Sequence, residues 1–245
     1  MNLIKGKIVA SPEERDAALA ALEDEIYVTL KKNPLDTETV LKACNQFSKM
    51  IGQEHIDLLI SVGISPEKAK CYLQEAKTLL KKENLIKRLK TELGDEFFAE
   101  KTFATSENSS VRIRERIMPL GTLFHIAAGN QFGLAFYSAI EGLLTGNINL
   151  IKLPSNDDGL AVMIFSELFK IAPLLKDNVY LFDYTSKETE AIRKLMKMAD
   201  AVVVWGGDES VRAIRNMADP TTKMIEWGHK LSFAYVTRNG YDENT

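Results

Sequence analysis

From Leu120 onward the sequence alternates short apolar runs with helix-forming segments, and few folds satisfy that alternation. The runs are "GTLFHIAA", "NINLIKL", "NVYLFDY", "DAVVVWG" and "KLSFAYV". Between them stand "QFGLAFYSAIEGLLTG", "NDDGLAVMIFSELFKIAP", "SKETEAIRKLMKMA" and "DESVRAIRNMA", each readable as a helix. Short apolar strands separated by helices imply a parallel sheet covered on both faces. Right-handed crossovers then make the expected fold α/β, a Rossmann-like, doubly wound, five-stranded parallel sheet. Such sheets take ligands at the carboxyl ends of their strands.

The preceding sequence has a different character. Ser11 is a candidate N-cap, followed by Pro12, Glu13 and Glu14, and Leu19, Leu22, Ile26 and Leu30 recur at helical spacing. Asp36 or Thr37 can cap the next helix, and Ser65 with Pro66 repeats the start signal. Further on, "VRIRERI" alternates with period two and reads as an exposed strand or β-arm with Arg112, Arg114 and Arg116 on one face. The expected division is an all-helical N-terminal region over residues 1–105 and a nucleotide-binding, Rossmann-like domain over 106–245.

Composition excludes several function classes. With 45% hydrophobic residues in 245, a substantial core can form. A net charge of -3 argues against a nucleic-acid-binding face. No apolar run approaches the length of a membrane span. The first residues, "MNLIKGKIVASPEERD", lack the apolar region and cleavage site of a secretory signal, so a cytoplasmic protein is expected. Cys44 and Cys71 are the only cysteines, with no spacing that suggests a disulfide or zinc site.

Four segments at expected strand ends carry candidate chemistry. In "HIAAGNQFG", Asn130 offers an amide N–H that could stabilise an oxyanion, or it caps the helix. In "NLIKLPSND", Lys152 leaves an apolar strand and must reach water or a ligand, because a buried ammonium is costly. In "VVVWGGDESVRAI", Gly206 and Gly207 let backbone N–H groups approach a pyrophosphate at a helix N-terminus; a plain strand-to-helix turn is the alternative. In "MIEWGHKLSFAYV", Glu226 could act as a general base or pair with Lys223 or Lys230.

Taken in this order, "PLGTLFHIAAGNQFG", "EGLLTGNINLIKLPSND", "ADAVVVWGGDESVRAIR" and "IEWGHKLSFAYV" resemble the aldehyde dehydrogenase superfamily, and more closely the LuxC-type acyl-CoA reductases. The resemblance runs from Arg116 to about Val236. It implies an aldehyde dehydrogenase-like cofactor domain and the reduction of a fatty acyl-CoA to an aldehyde with NADPH, through a cysteine thioester. On this resemblance Asn130 matches the oxyanion asparagine. Lys152 matches the lysine at the adenosine ribose or its phosphate, and Gly206 and Gly207 match the pyrophosphate turn. Glu226, in "EWGHK", matches the glutamate of the superfamily's "ELGGK" element, a base in thioester hydrolysis for which a reductase has less need.

Two departures refine the expectation. NAD-preferring members often carry a glutamate three residues after the lysine; here Ser155 stands there. A small neutral residue leaves room for a 2′-phosphate, which favours NADP(H) over NAD(H), although Asp157 and Asp158 lie close. The family's nucleophilic cysteine lies beyond "EWGHK", whereas no cysteine follows Cys71 in this chain. The expectation is therefore the N-terminal part of a longer reductase, truncated and inactive alone, and homo-oligomeric in its full-length form. A short-chain CoA-linked aldehyde dehydrogenase and a non-catalytic nucleotide- or partner-binding domain are the alternatives.

Overall fold

The computed structural model describes residues 1–32, 35–107, 110–129 and 133–235. The chain opens with two short strands, β1 (Asn2–Ile4) and β2 (Lys7–Val9), and then five helices. These are α1 (Pro12–Leu30), α2 (Thr37–Met50), α3 (Gln53–Ser61), α4 (Pro66–Leu79) and α5 (Lys82–Leu93). An exposed hairpin follows, β3 (Lys101–Ala104) paired antiparallel with β4 (Arg112–Glu115). The α/β alternation then runs β5 (Thr122–Ile126), α6 (Leu134–Leu144), β6 (Ile148–Lys152), α7 (Leu160–Ile171) and β7 (Val179–Phe182). It ends with α8 (Thr189–Lys197), β8 (Ala201–Trp205), α9 (Asp208–Met217) and β9 (Lys223–Trp227).

The helix starts follow from local chemistry. The Glu14 N–H donates to the Ser11 hydroxyl at 3.3 Å, with Pro12 in the first turn, where its missing N–H costs nothing. Asp36 accepts from the Thr39 N–H, and Ser65 from that of Lys68. The hairpin at the start was not anticipated. Lys5 and Gly6 both have positive φ, 51° and 74°, the geometry of a two-residue type I′ turn.

The main sheet has the order β2-β1-β7-β6-β5-β8-β9. The five expected parallel strands are its centre, from β7 to β9, and the N-terminal hairpin extends one edge antiparallel. Helices cover both faces, as a doubly wound sheet requires. On one face α6 and α7 pack with α2, α4 and α5, burying Phe47, Phe136, Leu143 and Phe165. On the other, α1 packs with α8 and α9 around Leu22, Leu195 and Ile214.

One expected strand is displaced. The alternation of "KLSFAYV" predicts the fifth strand there, but β9 is Lys223–Trp227, in register with β8 from Ala201 to Trp205. Residues 231–235 form no strand, and Leu231, Phe233 and Tyr235 are exposed. Alternation imitates a strand locally, but only "KMIEW" emerges from α9 level with an open strand edge.

Candidate functional site

The winding direction reverses between β5 and β8: β6 and β7 lie to one side of β5, and β8 and β9 to the other. A crevice at such a switch point, outside the carboxyl ends of the strands, is where ligands bind in this class of sheet. The loops after β5 and β6 are tied together there, because Asn156 Nδ2 donates to the Gly129 carbonyl at 2.8 Å. A Cβ on Gly129 would come within 2.4 Å of Asn156 Oδ1, so a side chain there would displace the Asn156 amide. Asn130 lies outside the described residues.

A single transverse row crosses the sheet at this edge. Phe182 pairs with Lys152, Lys152 with Ile126, Ile126 with Val204, and Val204 with Glu226. Register partners point to the same face, so Lys152 and Glu226 both face the α8–α9 layer. They stand three strands apart, about 14 Å at the usual strand spacing.

The Lys152 ammonium is partly buried, and its one hydrogen bond among the described residues goes to the Leu153 carbonyl, at 3.1 Å. Burial lowers its pKa from the ordinary lysine value, while the charge of Glu188 opposes that shift. Ser155 is exposed nearby. Asp157 is turned back into the protein, accepting from the Ala161 N–H at 3.1 Å, and burial raises its pKa.

At the end of β7, the strand next to that of Lys152, lies a charge cluster centred on Arg15. Arg15, from α1, donates to Asp16 at 3.0 Å, to Glu188 at 2.8 Å and to Asp183 at 3.4 Å. Its guanidinium lies 4.0 Å from the centre of the Tyr184 ring. Most of these partners are more than 160 positions away in the chain, and helical periodicity carries no signal of them.

At the end of β8, Gly206 continues the ladder by donating to the Trp227 carbonyl at 3.2 Å. Gly207 caps α9 in extended conformation and offers no side chain to the N–H groups of its first turn. The free N–H groups and the helix dipole make this end electropositive, with the exposed Asp208 and Glu209 opposing it. A Cβ on Gly207 would sit 3.3 Å from His229 Cε1.

Glu226 does not pair with Lys223 or Lys230. Its carboxylate is held by Arg215 of α9, with Nε donating to Oε1 at 2.7 Å and Nη2 to Oε2. Trp205 and Trp227 face the other way. Their rings stack 4.8 Å apart at 7°, and Trp205 Nε1 donates to Ser138 Oγ at 3.4 Å.

That bond starts a buried chain. His125 has Nδ1 2.7 Å from Ser138 Oγ and Nε2 3.0 Å from Asn149 Oδ1. Asn149 Nδ2 donates to the Asn147 and Asn178 carbonyls, so Oδ1 is the accepting end. His125 therefore carries its proton on Nε2, and the Ser138 hydroxyl donates to Nδ1. Of the two cysteines, Cys44 is buried and its thiol is pushed up to about 12 by desolvation, whereas Cys71 is exposed on α4. Among the described residues, no helix is long and apolar enough to cross a membrane.

Comparison with known proteins agrees with this architecture. A betaine aldehyde dehydrogenase from Staphylococcus aureus, solved with NAD+, superposes with a TM-score of 0.74 at 15% identity, over 93% of this chain and 49% of its own. A glyceraldehyde-3-phosphate dehydrogenase from Methanocaldococcus jannaschii, solved with NADP, gives 0.64 at 15% identity, over 91% and 48%. At that identity the likeness shows the fold alone. In sequence, the long-chain acyl-protein thioester reductase of Photobacterium phosphoreum is 26% identical over 184 residues, 74% of this chain and 37% of that protein. The Aliivibrio fischeri protein of the same name is 25% identical over 124 residues, 49% of this chain and 26% of its own length. The matched part of the chain thus spans 26% and 37% of these two relatives. The model of one family, acyl-CoA reductase (LuxC), matches residues 32–244, most of the sheet and helices described above, and the chain belongs to that family.

Proposed function

We propose that this chain is the cofactor-binding portion of an acyl-CoA reductase that converts a fatty acyl-CoA to an aldehyde with NADPH, through a thioester on a cysteine outside these 245 residues. The observation that carries the reading is Lys152. It is a partly buried ammonium at the carboxyl end of β6, with no carboxylate within ion-pairing distance among the described residues. Leaving such a charge unpaired is costly unless an anion arrives.

The residues present fit a dinucleotide phosphate. The α9 N-terminus has first-turn N–H groups to which its glycine cap offers no side-chain acceptor, suited to a pyrophosphate. Ser155 adds no charge beside Lys152, which leaves that end open to a 2′-phosphate. When bound, the reduced nicotinamide supplies a hydride. This chain's own part is to bind and orient: Lys152 and Ser155 at the adenosine end, Gly206 and Gly207 at the α9 turn, and Asn130 as an N–H donor to a developing oxyanion. Glu226 is neutralised by Arg215, which suits a reaction that needs no base to activate water.

Neither cysteine of the chain suits the nucleophile. Cys44 is buried with its thiol held protonated, and Cys71 stands on the outer helical layer. Calorimetric titration tests the binding claim: NADPH is expected to bind, and more tightly than NADH. Absence of binding by both at millimolar concentration would overturn it. Turnover of tetradecanoyl-CoA or acetyl-CoA by this chain alone would overturn the assignment of the nucleophile.

A further inference from the structure

We propose that Arg15 is a positioning residue for cofactor choice: by holding the Glu188 carboxylate, it keeps Lys152 available as an unpaired cation for a 2′-phosphate. This rests on reading the Lys152 end of the crevice as the place of the cofactor's adenosine.

The geometry begins with the sheet. Lys152 and Phe182 are register partners, so the chain leaving β7 runs past Lys152. It turns at once, with the Glu188 N–H donating to the Thr185 carbonyl at 3.1 Å, and Glu188 opens α8. Glu188 thus opens the helix that follows β7, the strand next to that of Lys152. It is also the carboxylate whose charge reaches Lys152.

Glu188 makes no ion pair with Lys152; its two oxygens accept from other donors. Oε2 accepts from the Thr185 N–H at 2.7 Å, and Oε1 accepts from Arg15 Nη2 at 2.8 Å. Arg15 cannot easily let go. Its side chain is only 11% exposed, fixed by Asp16 and Asp183 and packed over Tyr184. A planar guanidinium with several donors suits such a clamp better than an ammonium would.

Removing the guanidinium frees the Glu188 carboxylate from its ion pair while Lys152 remains an unpaired ammonium. The two would close on each other, since each otherwise lacks a counter-ion. Lys152 would then be neutralised, and the carboxylate would accept from ribose hydroxyls while repelling a 2′-phosphate. The cofactor preference is thus set by a residue of the N-terminal helical layer.

The test uses the whole chain and calorimetry, with adenosine 2′,5′-bisphosphate and AMP as probes of the adenosine end and NADPH and NADH beside them. Arg15→Gln is expected to weaken the bisphosphate and NADPH about tenfold, with AMP and NADH within about twofold. Adding Glu188→Gln to Arg15→Gln should restore the bisphosphate preference, which a loss of folding could not do. Glu188→Gln alone keeps the shape of the side chain and should raise the ratio of bisphosphate to AMP affinity. An unchanged ratio in Arg15→Gln, no restoration in the double variant, or no rise in Glu188→Gln would each overturn the inference and leave the cofactor reading standing. A wild-type chain that binds none of the four probes would overturn the cofactor reading, and the inference with it.

Discussion

Arg215 grips both carboxylate oxygens of Glu226, tying α9 to β9 at the edge of the sheet. The arginine is largely exposed, so solvent screens the pair and its contribution to stability is small. Glu226→Gln and Arg215→Gln should each lower the melting temperature by no more than about 3 °C, and the difference should shrink in 1 M salt. A drop several times larger, insensitive to salt, would mean that the pair is structural rather than a surface clasp.

His125 should make stability fall with acid. Burial drives its folded-state pKa down to about 4, against about 6.5 in the unfolded chain. Above pH 6.5 both states are neutral and the folded state keeps its full stability. As pH falls from 6.5 towards 4, the unfolded chain takes up a proton that the folded chain refuses. The loss is roughly 3 kcal/mol across that window. Urea unfolding of wild type and His125→Asn at pH 7 and pH 4.5 isolates this contribution; equal losses in the two proteins would refute it.

Gly142 sits inside α6, where alanine would ordinarily be favoured by about 1 kcal/mol. Here a Cβ would fall 1.9 Å from Asn149 Oδ1, the atom that accepts from His125, and 3.2 Å from Leu123. Overpacking of this kind costs about 1–3 kcal/mol and outweighs the helix propensity. Gly142→Ala should therefore be less stable than wild type by chemical denaturation. An increase in stability would show that α6 can shift to admit the methyl group.

The two thiols should separate cleanly. Cys71 is exposed and should react with a maleimide in the native state, while Cys44 should react only after denaturation. Mass spectrometry of labelled protein reads both events. Native labelling of Cys44 at the rate of Cys71 would mean that α2 opens readily.

Much of the fold was legible because its causes are local. Ser11, Asp36 or Thr37, and Ser65 mark helix starts by their own chemistry, and Ser11, Asp36 and Ser65 each accept from an N–H three residues on. The N-terminal hairpin left a weaker trace: "NLIKGKIV" carries a Gly-containing turn between two apolar pairs, too short to stand out. "KLSFAYV" misled for the opposite reason, since its alternation is strong and nothing in the sequence shows that "KMIEW" reaches the sheet first.

The candidate site divides in the same way. Gly206 and Gly207 do form a strand-to-helix turn, and Lys152 does end a buried strand. That Glu226 would meet Arg215 rather than a neighbouring lysine was not readable, because the choice depends on which face of β9 the register turns towards α9.

By itself, the sequence determined the alternation of strand and helix from Leu120, the helix caps and the glycine turns, because these depend on residues a few positions apart. Tertiary structure alone decided that Arg15 meets Glu188 across 173 positions, and that Lys152 and Glu226 share one face of one row. Those relations depend on strand order and register, which are set by packing the whole sheet between its two helical layers.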